Sequence, residues 1–117
     1  MNINEIASSL VAYCRKGNFQ AAQQALYAED AVSFEPQTSA QPVTRGLEGI
    51  RQKGIYFQST LTVHGIEVSE PLIAGRFFSL RIAMDVTVKE NGQRMIMEEV
   101  CVYEVKDGKI QNETFYY

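Results

Sequence analysis

The sequence predicts an α+β domain: N-terminal helices packed into a strongly curved antiparallel sheet, a cone enclosing a small, mostly apolar pocket. Three observations predict it. Helical periodicity dominates the first half of the chain and strand alternation the second, an order that favours α+β over repeated βαβ units. Asn91-Gly92, a strong two-residue hairpin signal, joins two long alternating runs. The chain has 117 residues, 45% hydrophobic and 21% charged, which suits one core, and it reads as a single domain over 1–117.

The elements follow in order. Ile3, Ile6, Ala7, Leu10 and Cys14 form one apolar stripe, so the first helix runs from about Asn4 to Lys16. Gly17 stops it, and Asn18 is placed to cap a second helix reaching about Ala28, with Phe19, Ala22 and Leu26 inward. A short strand, Ala31 to Glu35, ends at Pro36. Residues 37–44 read as loop or short edge strand. A third helix begins near Gly46 and turns Leu47, Ile50 and Gly54 inward. Strands then run from Leu61 to Ser69, Arg76 to Lys89, Arg94 to Val105 and Lys109 to Tyr117.

A two-residue turn at Asn91-Gly92 sets a register. Val88 faces Met95, Val86 faces Met97, Met84 faces Glu99, Ile82 faces Cys101 and Leu80 faces Tyr103. These pairs share one face, apolar except for Glu99. The other face mixes Arg81, Asp85, Thr87 and Lys89 with Ile96, Glu98, Val100 and Val102. With Phe77 it is apolar enough to predict a homodimer interface on the outside of the sheet. The last turn has two readings. A three-residue loop, Lys106 to Gly108, pairs Val105 with Lys109 and turns Glu113, Phe115 and Tyr117 inward. A two-residue loop, Asp107-Gly108, turns Asn112, Thr114 and Tyr116 inward instead. The first is favoured, because it places Glu99 and Glu113 on neighbouring strands of one face.

Charge and composition exclude several classes. Net charge is −3 with no Lys/Arg cluster, against nucleic-acid binding and against anionic membranes. No apolar run approaches the ~20 residues of a membrane span. Met1 to Glu5 lacks a signal-peptide pattern, and Cys14 and Cys101 form no CxxC or metal spacing. A cytoplasmic protein with two reduced thiols is expected. His64 has no second ligand nearby, and the chain has neither a Gly-rich phosphate loop nor a nucleophile elbow, so no metal or cofactor is expected.

Three stretches carry a family resemblance: Leu26-Tyr27-Ala28-Glu29-Asp30-Ala31-Val32, Gly46-Leu47-Glu48-Gly49-Ile50, and Val102-Tyr103-Glu104-Val105-Lys106-Asp107-Gly108-Lys109-Ile110. In this order and spacing the chain resembles the SnoaL-like branch of the nuclear transport factor 2-like superfamily. That branch has a cone-shaped, cystatin-like fold shared with ketosteroid isomerases and polyketide cyclases. The resemblance implies that Glu35-Pro36 falls where the isomerases carry an Asp-Pro whose Asp is the catalytic base. Cys101 falls where they carry an oxyanion-hole acid, and Leu10 near their catalytic tyrosine. Two of three roles are missing, against steroid isomerisation, and fold alone does not settle function.

Glu99 is the first catalytic candidate. A carboxyl among Met84, Met97, Ile82 and Cys101 is desolvated, which raises its pKa toward the range useful for proton transfer. Glu35 is the second, on the family position, although alternation with Val32 and Phe34 would turn it outward. Glu113 can pair with Glu99. Tyr103 and Tyr117 offer hydroxyls, Phe115 and Tyr56 apolar walls, and Met84 and Met97 adaptable ones. The plainer possibilities are a Glu99 at the rim, a solvated Glu113 and tyrosines that are ordinary core. The leading reading is a small-molecule-binding protein for an apolar or carbonyl-containing ligand. The alternatives are an isomerase-, cyclase- or hydrolase-type enzyme using a pocket carboxylate, and a non-catalytic dimeric module with a filled cone.

Overall fold

The structure, a computed structural model, describes all of residues 1–117. Three helices pack against the concave side of a curved, unclosed seven-stranded sheet. Helix α1 (Ile3–Arg15) opens with a capping box: the Asn2 side chain accepts from the Glu5 amide at 2.9 Å, and the Glu5 carboxylate accepts from the Asn2 amide at 3.0 Å. It buries Ile6, Ala7, Leu10, Val11 and Cys14, the stripe the periodicity marks. Helix α2 (Phe19–Leu26) makes no side-chain cap at Asn18, contrary to expectation. It also ends two residues early. Tyr27 is already extended and opens strand β1 (Tyr27–Phe34), four residues ahead of the expected start. Strand β2 (Val43–Arg45) resolves the open reading of 37–44 as an edge strand with flanking loop.

Helix α3 (Leu47–Ser59) lies over β1, β2 and β3 (Leu61–Val68), while α1 lies over β3 and β5 (Phe77–Val88). The sheet order is β2-β1-β7-β6-β5-β3, with β6 spanning Arg94–Lys106 and β7 Lys109–Tyr116. All pairs are antiparallel except β1 with β7. A short strand that the sequence pattern does not mark, β4 (Leu72–Ala74), turns back onto β5 through Gly75 at φ +61°.

The β5–β6 turn corrects the expected register. Gly92 has positive φ (71°) but Asn91 does not, so the two-residue type I′ turn does not form. The loop instead takes in Lys89 to Gly92: the Val88 amide donates to Gln93 O at 2.8 Å, and the Lys89 amide leaves the hairpin for Thr60 O at 3.0 Å. Val86 therefore faces Met95, Met84 faces Met97, Ile82 faces Glu99, Leu80 faces Cys101 and Phe78 faces Tyr103. The slip is two residues, an even number, so every side chain keeps its face.

The last turn mixes both readings. Asp107 (φ 52°) and Gly108 (φ 75°) make the two-residue loop, pairing Lys106 with Lys109 and Val105 with Ile110. A bulge then leaves Gln111 without an opposite, so Glu104 pairs with Asn112 and Tyr103 with Glu113. The extra residue restores the favoured inner face, with Glu113 and Phe115 inward.

Candidate functional site

The concave face brings four charged side chains together. Glu113 on β7 is 3% exposed. The Tyr27 hydroxyl donates to its Oε1, and Ser33, also from β1, lies opposite it in the β1–β7 register. Burial pushes the Glu113 carboxyl above its ordinary range, while the Tyr27 and Ser33 hydroxyls and the Lys53 charge pull the other way. Burial and the adjoining carboxylate raise the Tyr27 phenol well above 10, so at neutral pH Tyr27 remains a donor.

Glu35 sits just past the end of β1. Alternation along the strand would turn it outward; the structure corrects this. Tyr27, Ala31 and Ser33 are the buried positions of β1, with Val32 and Phe34 only half-buried, so Glu35 shares the interior side. The period of two is kept along the strand; the polar Ser33 and Glu35, not the apolar Val32 and Phe34, take the inner face, the reverse of what hydrophobicity suggests. Lys53 of α3 pairs with Glu35 at 3.4 Å, donates to Ser33 Oγ at 2.7 Å and places its ammonium 5.5 Å from the centre of the Phe115 ring. Glu35 Oε2 is buried with no hydrogen-bond partner.

Glu99 on β6 is half-buried. Loss of water is the main cause that raises its carboxyl from 4.5 to about 7. Repulsion from Glu35 and, more weakly, Glu113 adds to this; a hydrogen bond from the Cys101 thiol, at 3.6 Å, and the Lys53 charge oppose it. The thiols are inert by the same physics: burial first, then the carboxylates, pushes Cys14 up to about 12 and Cys101 higher still.

The remaining predicted residues divide. Met84, Met97 and Phe115 are half-buried on the interior face. Tyr103 is core: 2% exposed, stacked on Phe78 at 4.8 Å, with its hydroxyl toward Cys101. Tyr117 is 69% exposed beyond the last strand; burial first and then the Glu35 charge raise its phenol. Tyr56 corrects the expectation of an apolar wall. It is 73% exposed, because six residues past Ile50 is about 240° around α3, off the buried stripe. The sequence pattern does not single out Lys53, although it lies three residues after Ile50, on the same side of the helix.

The interior is more polar than a lone Glu99 implies. It offers an ion pair, a carboxyl titrating near neutrality and a phenol-bonded buried acid, the parts of an acid–base site. No cluster of three or more His, Cys, Asp or Glu is arranged to hold a metal ion. Two shallow concavities, about 200 and 170 Å³, lie elsewhere. The first is between α1 and Glu70-Pro71; the second is on the outer sheet face around Phe77, Val102 and Thr114. No helix is long and apolar enough to cross a membrane.

Comparison with known proteins supplies the family. A protein from Mesorhizobium loti, provisionally assigned as a SnoaL-like polyketide cyclase (carbohydrate phosphatase), is 39% identical. All of both chains align, with a TM-score of 0.94. A provisionally assigned isomerase from Bacillus subtilis is 20% identical (99% of this chain, 88% of that one, TM-score 0.76). A protein of unknown function with a cystatin-like fold from Xanthomonas campestris is 16% identical (99% and 90%, TM-score 0.79). These two share the fold. No curated protein matched the sequence. Because the family profile of the SnoaL-like domain matches residues 1–117 from end to end, this chain belongs to the SnoaL-like family.

Proposed function

We propose that the protein binds a small, largely apolar carbonyl compound on its interior face and moves a proton on it. The observation that carries this reading is the pair of unlike carboxyls: Glu99, raised to about 7, beside Glu35, ion-paired to Lys53. In one step Glu35 takes a proton from the carbon next to the carbonyl while protonated Glu99 gives its proton to the carbonyl oxygen. The reverse transfer, at the same or a neighbouring carbon, returns both groups to their starting state. Half-buried Met84, Met97 and Phe115 supply apolar contact. The cyclase assignment of the 39% identical Mesorhizobium loti protein is in keeping with carbonyl chemistry.

The test has two arms. Native mass spectrometry of freshly purified protein is expected to show a retained small molecule. With cyclohexanone in deuterated buffer near pH 7, exchange of the protons beside the carbonyl is expected to run faster than in buffer alone. It should fall at least tenfold in Glu99→Gln and Glu35→Gln. Absence of both a retained molecule and any acceleration would remove the reading.

Two further readings belong here. The protein pairs through its outer sheet face, supported by exposed Phe77, at the second concavity, and by exposed Ile96, Val100 and Tyr116 on the same face. It works in the cytoplasm, in keeping with two unpaired, buried cysteines; cell fractionation checks this.

A further inference from the structure

Three carboxyls and one ammonium meet on the interior face, and the ammonium does not belong to the sheet that carries two of the acids. Lys53 comes from α3 and crosses to β1. Its Nζ lies 2.7 Å from Ser33 Oγ and 3.4 Å from Glu35 Oε1, with the Phe115 ring alongside at 5.5 Å. The lysine side chain is only 18% exposed and that of Glu35 only 17%. Such enclosure removes the competition from water that makes surface pairs weak. Ser33 accepts from Lys53 and lies opposite Glu113 in the β1–β7 register, and Tyr27 donates to Glu113. One cation thus holds one acid directly and the neighbour of a second. Glu99 receives no hydrogen bond from Lys53.

We propose that Lys53 is a positioning residue: it anchors Glu35 and the Ser33 hydroxyl beside Glu113, so that Glu99 is the interior carboxyl left to exchange its proton. This rests on the reading of the interior as a proton-transfer site and adds a residue to it. The charged and titratable groups acting on Glu99 come from four elements and the ends of two strands: Cys14 on α1, Lys53 on α3, Cys101 on its own strand, Glu113 on β7, Glu35 just past β1 and Tyr117 just past β7. Lys53 is the only one of these that carries positive charge. Its removal withdraws attraction from the carboxyls and frees Glu35.

The experiment follows the Glu99 carboxyl by carbon NMR of glutamate-labelled protein across a pH series, assigned with Glu99→Gln. In Lys53→Met the Glu99 midpoint is expected to rise by at least about half a pH unit. Lys53→Arg, which keeps the charge, should return it toward the wild-type position. Glu35→Gln should lower the Glu99 midpoint by relieving repulsion. An unchanged midpoint in folded Lys53→Met overturns the proposal. If that variant does not fold, Glu35→Gln decides, and a Glu99 midpoint that stays put overturns it equally. Midpoints that move as stated, in a protein that neither retains a ligand nor accelerates exchange, uphold Lys53 and bring down the proposed function alone.

Discussion

A single side chain illustrates how burial sets chemistry here. The Glu99 carboxyl is raised from 4.5 to about 7, so the folded protein holds a proton that the unfolded chain releases. Between those pH values the native state binds more protons than the unfolded one, and stability falls as pH rises through the window. The contribution is fully present below about 4.5 and gone above about 7. It amounts to at most about 3 kcal/mol and less in practice, since Glu99 keeps some solvent contact. Glu99→Gln is therefore expected to flatten urea-denaturation midpoints measured from pH 4.5 to 8, with the larger stabilisation at pH 8. Any slope that remains belongs to Glu113, which is raised in the same direction. An unchanged slope would mean that Glu99 is not desolvated. Tyr27→Phe acts on the other acid: it deletes the hydroxyl that donates to Glu113. Leaving a 3%-exposed carboxyl short of a donor is expected to cost about 1–3 kcal/mol in the same assay. A cost near zero would show that Ser33 suffices.

At the scale of elements, the decisive device is a single unpaired residue in β7. Gln111 is the bulge that carries the strand from the two-residue turn's register into the one that turns Glu113 and Phe115 inward. Its side chain bonds Asp30 O and Oδ1 at 3.4 and 3.1 Å, tying the bulge to β1. Deleting Gln111 takes out the bulge but leaves Asn112 opposite Glu104 and Glu113 opposite Tyr103, so Glu113 and Phe115 stay inward. The expected loss by chemical denaturation is about 1–2 kcal/mol, from the hydrogen bonds to Asp30. A loss well above that would show that the bulge is needed for β7 to pair with β1. This bulge also shows what the sequence does and does not make legible. The α1 stripe, the strand runs and the inward face of β6 follow from period alone, because period survives an even register slip. Glu99 and Glu113 are accessible to that reasoning. Glu35 is not, since on β1 the polar Ser33 and Glu35 take the inner side and the apolar Val32 and Phe34 the other, and only the ion pair with Lys53 of a distant helix makes that arrangement favourable. Lys53 escapes it because a charged residue beside an apolar stripe reads as surface until a buried partner is known.

Across the whole molecule, the two sides of the sheet differ in kind. The concave side gathers the acids under the helices. The convex side carries cross-strand ion pairs, Arg81 with Glu98 and Arg94 with Asp85, around exposed Ile96 (61%), Val100 (48%) and Tyr116 (58%). Exposed ion pairs of this kind contribute little to stability and leave the apolar residues between them open to a partner. If two copies pair through this face about a two-fold axis, Val100 near the axis approaches its own counterpart. Val100→Glu then sets like charges against each other and removes apolar contact in both copies at once. Sedimentation equilibrium is expected to show a dimer for the wild-type chain and a monomer for Val100→Glu. The variant's unfolding should change by less than about 0.5 kcal/mol once concentration dependence is taken into account, because Val100 lies outside the core. A wild-type monomer at high concentration would leave the convex face without a self-partner. A dimer that survives Val100→Glu would move the interface to another surface of the fold.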